Sequence, residues 1–107
     1  MSPEERFEDL VDEMLGTEGV SPPRRGSGFG RSALRVDNRI FAMFVRGRLV
    51  LKLPRQRVDE LVDDGHGVRF DANKGTPMKE WLSLDERSPL AWPKLAREAL
   101  AFVGNRR

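Results

Sequence analysis

An α+β domain, with elements in the order α-β-β-β-α-β-β-α, is the fold class this chain predicts, and three observations carry that prediction. Along the 107 residues, apolar positions recur first at a helical period, then at a period of two, then at a helical period again. Two dipeptides, Asp37-Asn38 and Arg46-Gly47, divide the central block into three strand-like runs at hairpin spacing. The helical stretches stand outside that block, at the start, after Leu53 and at the end.

Each element has its own justification. Ser2-Pro3-Glu4-Glu5 opens the first helix, with Ser2 as cap, Pro3 in the first helical position and Glu5 closing a capping box. Phe7, Leu10, Val11, Met14 and Leu15 then form one apolar stripe, which Gly16 ends. The stretch TEGVSPPRRGSGFGR is expected to be a loop, because two prolines and its glycines interrupt any regular pattern. Strands follow at Ser32–Val36, Arg39–Val45 and Arg48–Leu53. Pro54 begins a helix with Val58, Leu61 and Val62 inward, and Gly65 stops it. HGVRFD (66–71) and MKEWLSL (78–84) read as two more strands, and the last helix carries Trp92, Leu95, Ala96, Ala99, Phe102 and Val103 before Gly104. Pro93 falls in its first turn, where no backbone donor is missed.

Two-residue turns fix a register and therefore two faces. Val45 pairs with Arg48, so Phe44 opposes Leu49, Ala42 opposes Leu51 and Ile40 opposes Leu53. Those six should face the helices. The expected core is Phe7, Leu10, Val11, Met14, Ile40, Phe44, Leu49, Leu51, Leu61, Leu95 and Phe102. Phe41, Met43, Val45 and Val50 should point the other way, joined by Leu34 and Val36, with Arg39, Arg48 and Lys52 around them. An apolar patch of that size calls for cover. A second copy forming a homodimer is favoured over cover by the terminal helix.

Composition narrows the functional classes. The absence of cysteine excludes a disulfide framework, a thiol nucleophile and the common zinc sites. No run of apolar residues is long enough for a membrane span, and MSPEERFED is acidic where a signal peptide is basic. A cytoplasmic protein of bacterial type is the simple reading, with no membrane, metal or cofactor expected. Net charge is +2, but residues 1–23 hold seven acids against one base, while residues 24–57 hold ten bases against Asp37 alone. That cationic block either neutralises the acidic first helix or meets an anionic partner, a nucleic acid or an acidic protein.

Candidates for chemistry are few. Gly26-Ser27-Gly28-Phe29-Gly30 lacks the strand, helix and spacing of a phosphate loop, and Asn73-Lys74-Gly75 has no phosphate loop to accompany it. His66 is the single histidine and stands between two glycines, a turn position with no second ligand beside it. Trp81 and Trp92 sit in apolar patterns and read as core. Phe29 lies among Arg24, Arg25 and Arg31, where an aromatic could stack on a base or plug the loop into the core. The candidate anion-binding set is therefore Arg24, Arg25, Arg31, Arg46, Arg48 and Phe29, and the candidate interface is Phe41, Met43, Val45 and Val50. No catalytic constellation emerges, so a binding role is expected.

The run GFGRSALRVDNRIFAMFVRGRLVLKLP, then VDELVDDG, MKEWLSL and a final W…LAREALAFV helix, resembles the TfoX N-terminal-domain family, related in look to YjbR/MmcQ-like proteins. The matching parts are Phe29-Gly30, Ile40-Phe41-Ala42, Leu51-Lys52-Leu53, Met78–Trp81 and the Trp92-to-Phe102 helix, which together extend over nearly the whole chain. The resemblance implies a single two-layer sheet-and-helix domain over residues 1–107, of the secretion-chaperone-like kind. It also implies a place among competence and transcription regulators, with DNA as a partner. A protein-interaction or dimerisation module without nucleic-acid binding is the alternative.

Overall fold

The structure, a computed structural model, describes residues 2–23, 32–71 and 77–104. Helix α1 (Pro3–Met14) starts as the capping box predicts: Glu5 N–H donates to Ser2 Oγ and Ser2 N–H donates to Glu5 Oε1, each at 3.1 Å. Phe7, Leu10 and Met14 are buried, whereas Leu15 lies past the last turn and is exposed. The chain then turns through Gly19, at φ +85°, into β1 (Val20–Ser21), a two-residue strand within the stretch expected to be loop. A strand that short leaves no period to read.

Strands β2 (Ala33–Val36), β3 (Arg39–Val45) and β4 (Arg48–Lys52) form the expected hairpins. Their turns have positive φ at both central residues, 51° and 68° at Asp37-Asn38 and 53° and 79° at Arg46-Gly47, the signature that matches strand twist. Helix α2 (Arg55–Asp63) follows, then the edge strand β5 (Gly67–Arg69), then β6 (Trp81–Leu84) and helix α3 (Trp92–Gly104). Only glycine fits at 67, since a Cβ there would lie 2.4 Å from the Ser83 carbonyl oxygen. Both late strands are shorter than their sequence patterns, in part because a turn at Lys79-Glu80 delays β6, with Trp81 N–H donating to the Met78 carbonyl at 3.3 Å.

The result is an α+β fold with a six-stranded antiparallel sheet in the order β1-β2-β3-β4-β6-β5. All three helices contribute to one large apolar cluster with Leu34, Val36, Ala42, Leu49, Leu51, Leu53, Leu82 and Leu84. Two ion pairs tie this helical layer together: Glu13 of α1 to Arg97 of α3, and Arg57 of α2 to Glu98 of α3, the latter at 2.9 Å. Trp92 is core, as expected, with the Arg6 guanidinium 4.4 Å above its ring.

The β3–β4 register is as the turn predicts, with Phe44 opposite Leu49 and Ala42 opposite Leu51. Between β2 and β3 it is not regular. Leu34 pairs with Ala42 and Arg35 with Ile40, so two residues of β3 oppose one of β2 and Phe41 is the extra residue of a β-bulge. The bulge reverses the alternation below it. Phe41 enters the helix-facing core at 0% exposure, and Ile40 packs with the cluster on the other side. Ile40 is therefore not in the helix-facing core. Leu34 and Val36, expected to face outward, are buried beneath the helices instead.

Candidate anion-binding face

The sheet face away from the helices is built by the period of two. Val45 and Arg48 pair across the β3–β4 turn, so Arg48, Val50 and Lys52 of β4 share one face with Met43 and Val45. On β6, Ser83 opposes Val50 and Trp81 opposes Lys52, which places both on the same face. β5 adds Val68 opposite Ser83, and β2 adds Ala33 and Arg35. Among the described residues this face has its own small core, Ala33, Met43, Val50 and Phe70, with Ile40, Val45, Met78 and Trp81 against it and no helical residue.

That second core corrects the outward apolar patch expected from the sequence. Phe41 is on the opposite face, Met43 and Val50 are buried at 4% and 0%, and Val45 is half-buried. The physical reason is local: Phe70, Met78 and Trp81 come from the β5–β6 end of the sheet and pack over the middle strands. No alternation within β3 and β4 could reveal that. Val68, about half exposed, is the large apolar side chain the face leaves open.

Cations surround this core in two clefts. The first, about 320 Å³, is lined by Val45, Arg46, Arg48, Val68, Arg69, Phe70, Asp71 and Ser83. Arg46 stands at the turn, exposed, and its Nη2 donates to the Asp71 carbonyl at 3.4 Å. Arg48 reaches Asp85 across β6 at 3.6 Å, a long contact between partly exposed groups. Asp85 is itself held below its ordinary pKa, first by the Arg87 backbone N–H, then by the Arg87 side chain, with Arg48 adding attraction. Arg69 points the other way and pairs with Asp59 of α2.

The second cleft, about 450 Å³, is lined by Lys52, Arg55, Met78, Lys79, Glu80 and Trp81. Here Lys52 Nζ sits 5.4 Å from the centre of the Trp81 ring. The sequence does not single out Lys79, and the apolar pattern around Trp81 reads as core. The available signal was parity: Trp81 falls opposite Lys52 once β6 is known to lie beside β4, but that strand order is not written locally. Arg35 was also missed, and its buried Nη1 makes no hydrogen bond among the described residues.

Of the remaining predicted residues, Arg24, Arg25, Phe29 and Arg31 lie outside the described residues. Arg57, inside the cationic block, is engaged by Glu98, whose hydrogen bond raises its pKa. His66 Nδ1 lies 2.9 Å from Ser88 Oγ, and that hydroxyl also accepts from the Leu90 N–H at 3.3 Å, so the pair braces the turn before α3. Among the described residues no three metal-ligating side chains converge, and no helix is long and apolar enough to cross a membrane. Compared with protein-family models, curated proteins and solved structures, the chain matches none.

Proposed function

We propose that the helix-free sheet face binds a polyanion and that the polyanion is nucleic acid. One observation carries this reading: the acids of α1 and three cations of the sheet stand on opposite faces of the fold. Glu4, Glu5, Glu8, Asp9, Asp12 and Glu13 are exposed on α1, in the helical layer. Arg35, Arg48 and Lys52 project from the opposite face, with Arg46, Arg55 and Lys79 at its margins. A molecule polarised in this way orients an approaching polyanion toward one side before contact. Within the basic block the structural ion pairs consume Arg57, and Arg48 is held only loosely by Asp85.

Two further features support the same partner. Arginine predominates over lysine among the 19 basic residues, and its planar fork suits phosphate oxygens. The resemblance to TfoX N-terminal domains points toward a regulatory binding domain, with a binding role rather than catalysis, in a cytoplasmic setting. A homodimer through Phe41, Met43, Val45 and Val50 has less support, since three of those four side chains are buried within their own chain.

Fluorescence anisotropy with labelled mixed-sequence DNA, single-stranded and duplex, tests the reading across salt. If about four to six phosphates are contacted, log affinity should fall with log salt at a slope of roughly −3 to −5, with little dependence on sequence. Micromolar protein that leaves both DNA forms unbound at low salt would refute it.

A further inference from the structure

The two clefts lie on one track. Arg48 and Lys52 are four residues apart on β4, so about 13 Å of strand joins the first cleft to the second. Between them lie Val50 and Ser83, both buried, in the part of the sheet that Phe70, Met78 and Trp81 pack against, so apolar surface separates the two cation groups. Among the lining side chains cations outnumber acids, Arg46, Arg48 and Arg69 against Asp71 in the first cleft, where Arg69 is paired with Asp59 and Arg48 lies 3.6 Å from Asp85, and Lys52, Arg55 and Lys79 against Glu80 in the second. Trp81, partly exposed, is the aromatic of the second cleft, with its ring already facing a cation.

Resting on the nucleic-acid reading, we infer that the ligand is a single strand laid along β4 and β6, with one base stacked on Trp81. Cations alone would serve duplex and single strand alike. An aromatic ring set among them does not, because the bases of a duplex are already stacked on one another and present only their edges, whereas an unpaired base has a free face to offer. Lys52 then turns from the Trp81 ring to a phosphate beside the stacked base, and Arg55 and Lys79 flank it. Arg46 and Arg48 hold the backbone at the other end of the track. The spacing of the two cation groups fits a few nucleotides, with sequence preference set by stacking and not by hydrogen-bonded readout.

The test uses the full chain, an oligothymidylate and a hairpin duplex of equal phosphate number. Titration with the single strand should quench Trp81 emission against the constant background of buried Trp92, and the duplex should leave it unchanged. Trp81→Leu should weaken single-strand binding roughly ten- to a hundredfold while moving duplex affinity less than twofold. Trp81→Phe should retain most of the single-strand affinity. Should Trp81→Leu fail to fold, the quench in the unaltered protein and the Phe variant decide the question. Failure of both DNA forms to bind would overturn the nucleic-acid reading itself. Duplex and single strand bound alike, with Trp81 emission unmoved, would overturn only the single-strand inference. Displacement by polyglutamate at the same salt slope, again without quenching, would assign the face to acidic protein segments and overturn it as well.

Discussion

Arg46 pays for its position with backbone strain. At φ +53° it occupies the left-handed region, where an ordinary L-residue is disfavoured by roughly 1–2 kcal/mol and Asn is tolerated. Arg46→Asn creates Asn-Gly, the preferred pair for this turn, and should stabilise the fold by about 0.5–1 kcal/mol after loss of the weak contact to the Asp71 carbonyl. The same change should weaken DNA binding and lower the salt slope by about one phosphate contact. Thermal melts and anisotropy on one sample check both halves. A variant that is more stable and binds equally well would remove Arg46 from the site. Asp85 provides the opposite test. Its carboxylate sits beside Arg48, so Asp85→Asn should raise affinity roughly two- to fivefold, the scale of an exposed ion pair. Because the folded-state pKa lies below the ordinary 3.8, the contribution of Asp85 to stability is present above that value and is lost as pH falls through the lower one. The acid limb of a stability profile should therefore be shallower in Asp85→Asn, read by denaturation midpoints between about pH 2 and 5.

Among the elements, the β-bulge in β3 decides which residues the core holds. Phe41→Ala should cost about 3–5 kcal/mol, the range for a fully buried aromatic, and Ile40→Ala should cost clearly less because Ile40 is only half-buried in the smaller cluster. Chemical denaturation of the two variants gives the comparison, and a larger loss at Ile40 would restore the regular register. The element shows why sequence reading stopped where it did. Turn chemistry at Asp37-Asn38 and Arg46-Gly47 made both hairpins legible, and the β3–β4 register followed from counting. The bulge inserts no glycine and no polar residue. Ile40 and Phe41 are both apolar, so either could face the helices, and only pairing across to β2 separates them. The same limit applied to β1, whose two residues gain their strand identity from Val36 and Arg35 of the neighbouring strand.

On the scale of the whole molecule, sheet and helices divide apolar and charged residues between two sides. Leu51, fully buried at the centre of the helix-facing core, anchors that division, and Leu51→Ala should lower stability by about 2–5 kcal/mol in a denaturant titration. The acidic start and basic middle of the chain were plain in the sequence, but the placement of the α1 acids opposite Arg35, Arg48 and Lys52 was not, since it depends on which side of the sheet α1 packs. Likewise Arg48 and Lys52 could be assigned to one face by parity, while Trp81 and Lys79 join them only because β6 inserts between β4 and β5. Whether the helix-free face is the binding surface is decided by a residue-resolved NMR titration of the ¹⁵N-labelled protein with a short single-stranded oligonucleotide. Shifts are expected at the amides of Arg46, Arg48, Lys52 and Lys79 and at the Trp81 indole N–H, with α1 unaffected. Shifts concentrated on α1 and α3, with the β4 and β6 signals unmoved, would contradict it.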